Sequence, residues 1–285
     1  MRIEVNGVRL YVDIEGAGLV PDGPTMREKP TLIALHGGPG ADHSIYKPHL
    51  SQLADLCQIV YVDHRGNGRS DDGDPETWTL AQWGDDIAGL CDVLEIEKPI
   101  IYGASFGGYV AQSFATRHPD RLSGLILSVT AAHVDFEAVF DAFTRIGGAK
   151  AGKVARTYWS DPTPERRQAY FDTCFPLYSI KGLDQDMVAR MIVKNPVAMH
   201  FNGPKNEHGR FDFRPGLAKI TCPALVISGK QDPIMPHPFG AEITRYLPNA
   251  RYHLLDNAGH TVDFDAAEAF YSLMRDFIGE VSHAA

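Results

Sequence analysis

A serine at position 105 occupies a predicted sharp turn between a strand and a helix. The apolar run Pro99–Tyr102 predicts a buried strand, Gly103-Ala104-Ser105-Phe106-Gly107 follows it, and residues 106–117 have a helical pattern. The glycines at positions 103 and 107 suit a strained serine backbone, because a Cβ at either position would clash. The strain would lift the Ser105 hydroxyl clear of the sheet edge, where it could act as a nucleophile. The same five residues would also suit an ordinary strand-to-helix turn.

A nucleophilic serine needs a base, and the base needs an acid that orients it. Asp232 lies in the loop after the strand-like run Ala224–Ser228, and His260 lies in the loop after Arg251–Leu255. Because the carboxyl ends of parallel strands meet at one edge of an open sheet, we expect both side chains to lie near Ser105. The sequence therefore predicts a Ser105, His260 and Asp232 triad.

Two other acids compete with Asp232 as the partner of His260. Asp256 precedes this histidine by four residues and Asp263 follows it by three. Neither lies at the end of a strand other than the one that leads to His260. We therefore expect Asp232 to accept the hydrogen bond. The remaining histidines that we considered carry no signal above that of surface or cap residues, and they are His64, His133, His200, His208 and His253.

The order of these motifs resembles that of the α/β-hydrolase superfamily over nearly the whole chain. His36-Gly37-Gly38-Pro39-Gly40 follows the third strand, the segment 63–70 (Asp-His-Arg-Gly-Asn-Gly-Arg-Ser) follows the fourth, and the serine turn follows the fifth. The first two segments look like those of the proline iminopeptidase family. The chain departs from that family at Phe106, where the family usually carries Trp or Tyr, and its acidic cap motif has no clear match here.

The resemblance implies an α/β-hydrolase fold with a mostly parallel eight-stranded sheet flanked by helices. Residues 1–132 and 216–285 would form the core, and residues 133–215 would form an inserted helical lid, called the cap below. The backbone N–H of Phe106, at the head of a helix, is one predicted oxyanion donor, and the resemblance points to the N–H of Gly38 as the other. We expect His36 to bond backbone groups of the oxyanion loop, and Asp63 and Arg65 to brace the loops beside it.

The predicted function is hydrolysis through an acyl-enzyme on Ser105, with no cofactor or metal. Fold and triad do not fix the substrate. A proline iminopeptidase-like aminopeptidase or amidase, a carboxylesterase or lactonase, a carbon–carbon bond hydrolase, and a non-catalytic small-molecule receptor all remain open. Two or more acids in the pocket would favour an aminopeptidase, and the cap offers Asp135, Glu137, Asp141, Asp161, Glu165, Glu207 and Asp212.

Strands and helices alternate along the core segments. Besides the strands named above, the sequence predicts strands at Arg2–Val5, Val8–Ile14, Thr31–Leu35, Ile59–Val62 and Leu122–Ser128. Residues 16–30 are expected to form a surface loop and Ile45–Leu56 a helix. A capping box, Thr79 with Gln82, predicts a helix whose apolar face is Trp83, Ile87, Leu90 and Leu94. Predicted cap helices are Phe136–Arg145, Pro164–Phe171 and Asp184–Lys194.

Composition excludes several classes of protein. The 285 residues are 44% hydrophobic, enough for one large α/β domain with an insertion. A net charge of −9 disfavours nucleic acid and anionic membrane surfaces as partners. Four cysteines without C-x-x-C spacing indicate neither a zinc cluster nor a disulfide framework. We expect a soluble cytoplasmic protein with a small-molecule substrate, and the sequence does not predict its oligomeric state.

Overall fold

The computed structural model describes residues 1–203 and 207–284, and it contains the predicted eight-stranded sheet. The strand order is β1-β2-β6-β5-β7-β8-β9-β10, in which β1, β2 and β6 pair antiparallel and all other neighbours pair parallel. This confirms the predicted fold class. The strands are β1 (Arg2–Val5), β2 (Val8–Glu15), β5 (Thr31–Leu35), β6 (Gln58–Asp63), β7 (Ile100–Ala104), β8 (Gly124–Ser128), β9 (Ala224–Gly229) and β10 (Ala250–Leu255), with β3 and β4 forming a separate hairpin.

Both faces of the sheet are buried, and alternate residues of each strand enter different cores. In β5, Ile33 and Leu35 pack into one hydrophobic cluster, whereas Leu32 and Ala34 pack into the other. Side chains of a strand point alternately to opposite faces, so a continuous apolar run is what a sheet covered on both sides requires. The central strands therefore hold their carboxyl ends in fixed positions at one edge.

Helices cover the two faces of the sheet. Helix α1 begins after Thr79, whose hydroxyl accepts from the Gln82 amide at 3.2 Å, and it buries Trp83 completely. The Gln82 side chain bonds Asp86 instead of returning to Thr79, so only half of the predicted capping box forms. The helices are α1 (Leu80–Val93), α2 (Phe106–Arg117), α3 (Phe136–Ser160), α4 (Pro164–Thr173), α5 (Gln185–Arg190), α6 (Asn195–Asn202), α7 (Arg214–Leu217), α8 (Pro238–Tyr246), α9 (Val262–Asp265) and α10 (Ala267–Ala284).

The expected surface loop at 16–30 contains an exposed hairpin instead. Strand β3 (Leu19–Asp22) pairs antiparallel with β4 (Thr25–Glu28) through the two-residue turn Gly23-Pro24. Gly23 has a φ of +59°, a conformation that suits the first position of a two-residue hairpin turn. The prediction was wrong because the pair buries little apolar surface and so leaves no alternating pattern in the sequence.

The helix predicted over Ile45–Leu56 is also wrong. The chain forms two 3₁₀ helices there, His43–Tyr46 and His49–Leu53, separated by Lys47 and Pro48. Proline lacks an N–H and disfavours helical geometry in the residue before it, and Lys47 has an extended ψ of 142°. The proline therefore divides what the apolar pattern presented as one helix.

Between β8 and β9 the described part of the chain is helical and contains no strand. It includes α3 to α7, and α3 is longer than predicted, since it continues past a kink at Gly148 to Ser160. Residues 204–206 of the predicted cap and residue 285 of the predicted core lie outside the described residues. Across 1–203 and 207–284, no helix combines the length and the apolar character needed to cross a membrane.

Candidate active site

Ser105 lies at the junction of β7 and α2 in a strained backbone conformation. Its φ of 55° and ψ of −122° are rare for a residue with a side chain. The amide of Ser105 donates to the Ser128 carbonyl at 3.0 Å, and its own carbonyl accepts from the Thr130 hydroxyl at 2.8 Å. The hydroxyl does not cap α2 and makes no hydrogen bond with a described residue. It is therefore fixed in place and available for reaction.

The glycines around Ser105 are required by close packing of the backbone. A Cβ at Gly103 would lie 2.3 Å from the Gly107 carbonyl oxygen, and a Cβ at Gly107 would lie 1.9 Å from that of Leu35. Real Cβ atoms do not approach so closely. The spacing seen in the sequence thus reflects direct contact of β7, α2 and the end of β5.

His260 and Asp232 meet above the ends of β9 and β10. The Asp232 Oδ2 lies 2.7 Å from His260 Nδ1. The other oxygen of this fully buried carboxylate accepts from the amides of Ile234 and Met235 at 2.9 and 2.8 Å. Two backbone donors and the imidazole therefore fix the carboxylate. This arrangement selects the His260 tautomer that carries its proton on Nδ1 and leaves Nε2 free to accept one.

Neither of the two rival acids takes the place of Asp232. Asp256 forms an exposed ion pair with Lys230 at 2.6 Å. Asp263 lines the same cavity as Ser105, and burial raises the pKa of its carboxyl group. Neither hydrogen-bonds to the ring of His260.

The glycine loop after β5 packs directly against Ser105. A Cβ at Gly37 would lie 3.4 Å from the Cβ of Ser105, so the two backbones are in contact. Gly38 has a φ of +132°, a conformation that L side chains rarely adopt. Phe106 is the first residue of α2, and its amide has no intrahelical acceptor. Both amides predicted as oxyanion donors thus belong to segments that adjoin the serine.

The segment that follows β6 braces this glycine loop. Asn67 Oδ1 accepts from the Gly40 amide at 2.7 Å. Burial alone would raise the pKa of Asp63, but its hydrogen bond from His43 and the amide of Arg69 lower that pKa to about 2. Asp63 is therefore an ionised, buried anchor for two loops.

One buried group of side chains near this brace has the composition of a cation site. Ligand atoms of Asp42, His43 and Asp63 lie within 4.8 Å of one another. The guanidinium of Arg69 already pairs with Asp42, and Asp63 is occupied by His43 and by backbone amides. The positive charge needed by these carboxylates is supplied by the chain itself.

Two further predictions concerned Arg65 and His36. Arg65 forms two 2.8 Å bonds to the Asp86 carboxylate, with both side chains buried. His36 Nδ1 lies 2.7 Å from the Gly37 carbonyl, inside the loop as expected. His64 is a buried residue and not a surface one: its ring contacts both His36 and Phe106, and burial lowers its pKa well below the usual value.

Ser105 and His260 open into a largely apolar cavity of about 220 Å³. Aromatic and apolar side chains of the cap line it, namely Trp159, Tyr170, Phe175, Tyr178 and Met191, whereas Phe136, Phe140 and Phe143 do not. His208 lines it as well, and burial lowers the pKa of this histidine to about 3. Nothing in the sequence singles out His208 among the twelve histidines.

None of the seven cap acids considered as possible amine ligands lines this cavity. Four form ion pairs or bonds away from it: Glu137 with Arg156, Asp161 with Arg166, Asp212 with Arg214, and Glu207 with the Leu80 amide. The carboxylates that do line it are Asp184 and Asp263.

Hydrogen bonds connect the cap to the loop that carries His260. The Tyr178 carbonyl accepts from the amide of His260 at 2.6 Å and from that of Thr261 at 3.2 Å. Buried Asp265 completes the connection, because it accepts from the Ser179 hydroxyl at 2.6 Å and the Gly259 amide at 2.8 Å. Its carboxylate therefore bonds to both sides of the joint between cap and core.

We expect Asp265→Ala to lower both stability and turnover. Loss of a buried charged acceptor leaves its donors unpaired, which costs about 3 kcal/mol of unfolding free energy. Because these donors position the His260 loop, kcat should fall further than reactivity with a small phosphonate does. Urea unfolding and steady-state kinetics measure the two effects, and Asp265→Asn, which keeps one of the two acceptor oxygens, should be milder in both. Wild-type stability and kcat in the alanine variant would contradict the assignment.

Comparison with known proteins places these features in a family. A sequence model described as the alpha/beta hydrolase fold matches residues 30–267. A proline iminopeptidase, PfmaB, from Pestalotiopsis fici is 29% identical over 94% of this chain and 98% of its own length. A putative carbamate hydrolase, RutD, from Caulobacter sp. is 27% identical over 94% of this chain and 95% of its own length.

A solved structure extends the likeness to three dimensions. The crystal structure of a proline iminopeptidase from Mycobacterium smegmatis has a TM-score of 0.80 at 22% identity, and the match covers all of this chain and 99% of that one. At that identity, the likeness shows a shared fold.

Proposed function

Because this chain belongs to the alpha/beta hydrolase fold family, we propose that it is a serine hydrolase that forms an acyl-enzyme on Ser105. The observation that carries the proposal is the 2.7 Å bond from His260 Nδ1 to the buried Asp232, in the same cavity as a serine that is strained and otherwise unbonded. Ser105 is the nucleophile, His260 the general base and Asp232 the acid that orients it.

The reaction follows from the proton positions that this geometry sets. Nε2 of His260 takes the proton of the Ser105 hydroxyl as Oγ attacks the substrate carbonyl. Asp232 stabilises the resulting imidazolium without accepting its proton. The imidazolium then protonates the leaving group, an acyl-enzyme remains, and water activated by the same imidazole releases the acid.

We assign the oxyanion to the amides of Gly38 and Phe106. Both belong to segments that contact Ser105, and the N-terminus of α2 adds the positive end of its dipole. Donors already held in place stabilise the developing charge without reorganising, and losing one typically costs about 3 kcal/mol of transition-state stabilisation.

The cavity supports an ester or lactone better than a substrate with a free amine. Its walls are mainly apolar, and the seven acids that could have bound an ammonium lie outside its lining. Of the two acids in the lining, Asp184 accepts the Asp186 and Met187 amides as the cap of α5, and the raised pKa of Asp263 disfavours its charged form. We also assign residues 133–215 the role of a cap that sets specificity, because described residues of this range supply the cavity wall opposite the generic core groups.

A fluorophosphonate probe tests the proposed function directly. We expect one equivalent of probe to be bound covalently, and mass spectrometry of the digested protein to place it on Ser105. Hydrolysis of a panel of aryl esters, lactones and proline arylamide then ranks the substrate classes. Labelling at another residue, or the absence of labelling with the protein folded, would show that Ser105 is not an activated nucleophile.

A further inference from the structure

A second group of polar side chains, all from the cap, lines the cavity that contains Ser105. It comprises Tyr158 and Trp159 near the end of α3, Arg167 on α4, and Asn202 at the end of α6, and we call it the cap donor cluster. Polar atoms buried in an apolar cavity need partners, because each one left unpaired costs free energy. The bonds that these residues lack therefore indicate what the cavity is built to hold.

Arg167 brings a positive charge that the described chain leaves unpaired. Its Nε is buried without a hydrogen-bond partner, and no described carboxylate forms an ion pair with it. The neighbouring Arg166 differs, since it pairs with Asp161 on the surface. The Arg167 guanidinium lies over the ring of Phe171, with its Cζ 4.4 Å from the ring centroid. This stacking holds the orientation of the guanidinium, whose Nε has no partner.

The other members of the cluster add donors beside Arg167. Asn202, which is only 9% exposed, donates from Nδ2 to the Tyr158 hydroxyl at 3.1 Å, and its Oδ1 has no partner. The buried indole N–H of Trp159 has none either. Burial raises the pKa of the Tyr158 phenol, while the hydrogen bond from Asn202, the nearby charge of Arg167 and a hydrogen bond with Arg167 lower it.

Donors in this cluster outnumber acceptors. The guanidinium, the indole and the phenol offer N–H and O–H groups, whereas the Asn202 carbonyl is the one side-chain acceptor among them without a partner. A compact group with several acceptor atoms and a negative charge satisfies this set. A planar carboxylate matches the fork of an arginine in particular.

We propose that the cap donor cluster binds a carboxylate of the substrate while Ser105 attacks a carbonyl elsewhere in the same molecule. The substrate class is then an ester or lactone whose acyl part carries a free carboxylate. This assignment rests on the proposed serine hydrolase function, because the cap donor cluster and Ser105 line the same cavity. An ammonium in the same place would be repelled by Arg167 and would find one acceptor.

The test compares matched esters that differ only in this carboxylate. Aryl half-esters of dicarboxylic acids of increasing length are each assayed beside the same compound capped as a methyl ester, and kcat/KM is measured for both. We expect wild type to prefer the free carboxylate at one or more lengths. Arg167→Gln should reduce that preference about 10- to 100-fold, the range expected for a charge-assisted hydrogen bond. Arg166→Gln, one residue away on the surface, should retain it.

A second variant and a second measurement make the test independent of one substitution. Asn202→Asp is nearly isosteric and places a negative charge in the cluster, so it should also lower the preference for the half-ester. Free dicarboxylates of the favoured length should slow fluorophosphonate labelling of Ser105 in wild type and do so less in Arg167→Gln. Melting temperatures of all variants show whether each is folded.

Two kinds of failure are distinguishable. If capped and free esters are both hydrolysed through Ser105 with no preference at any length, the cap assignment is overturned and the hydrolase function stands. The same conclusion follows if Arg167→Gln and Arg166→Gln alter the ratio equally. If Ser105→Ala hydrolyses these esters as wild type does, the proposed function itself fails.

Discussion

Replacement of Ser105 by alanine is expected to lower kcat for ester hydrolysis by roughly 10⁴- to 10⁶-fold, the range typical of removing a triad nucleophile. The reason is that no other described group in the cavity combines an unbonded hydroxyl with a strained backbone next to His260. The fold should survive, because the Ser105 side chain makes no hydrogen bond and alanine keeps the Cβ that the turn already accommodates. Initial rates on an activated aryl ester measure the effect.

The control for this experiment is Ser123→Ala. Ser123 precedes β8, uses its amide to bond the Pro99 carbonyl, and lies outside the cavity lining. It should leave kcat and the melting temperature as in wild type. Turnover within tenfold of wild type in a folded Ser105→Ala variant would exclude the acyl-enzyme mechanism, because no nucleophile would have been lost.

The residues of the proposed site could be selected from sequence because each belongs to a local pattern. Gly103 and Gly107 flank Ser105 at a spacing that the structure explains through contacts with neighbouring backbone. Asp232 and His260 each follow an apolar strand, and parallel pairing of β9 with β10 brings these two loops to one edge. These are short-range signals that topology then assembles.

What the sequence missed depends on contacts between distant segments. Asp265 bonds Ser179 across 86 positions, and no pattern around either residue announces a joint between cap and core. Arg167 is one of two adjacent arginines, and only packing decides that it lines the cavity while Arg166 pairs with Asp161 at the surface. The cap acids were selected by charge alone, which does not show the direction in which a side chain points.

Local reasoning also failed where two local rules conflict. The apolar spacing over residues 45–56 suits a helix, but Pro48 interrupts it, and the covalent restriction on the backbone prevails over the pattern. The hairpin of β3 and β4 shows the opposite case: the Gly23 turn signal was present, while the alternating burial that normally supports it was absent. In both places the residue with restricted or unusual backbone geometry determined the structure.

The prediction with the second largest effect separates Asp232 from its rivals. We expect Asp232→Asn to lower kcat by roughly 10³- to 10⁴-fold, with KM changed little. Asparagine keeps the oxygen that accepts from the Ile234 and Met235 amides, so the loop should hold its shape. In this orientation, the asparagine side chain places an amide N–H where the oxygen facing His260 Nδ1 was. In the reverse orientation, the amide group is rotated and the hydrogen bonds from the Ile234 and Met235 amides are lost. With the N–H facing His260, the imidazole must carry its proton on Nε2 instead of Nδ1, so Nε2 cannot accept the proton of Ser105.

Asp256→Asn is the matched control for Asp232→Asn, since it neutralises an acid that lies only four residues before His260 in the sequence. Its exposed pair with Lys230 contributes at most about 1 kcal/mol, so stability and kcat should stay near wild type. Asp263→Asn tests the other rival: because this side chain lines the cavity without bonding the His260 ring, its effect on kcat should be far smaller than that of Asp232→Asn. Steady-state kinetics on one ester rank the three variants. If Asp263→Asn lost more activity than Asp232→Asn, the acid that orients His260 during turnover would be Asp263, and the observed bond to Asp232 would belong to a resting arrangement.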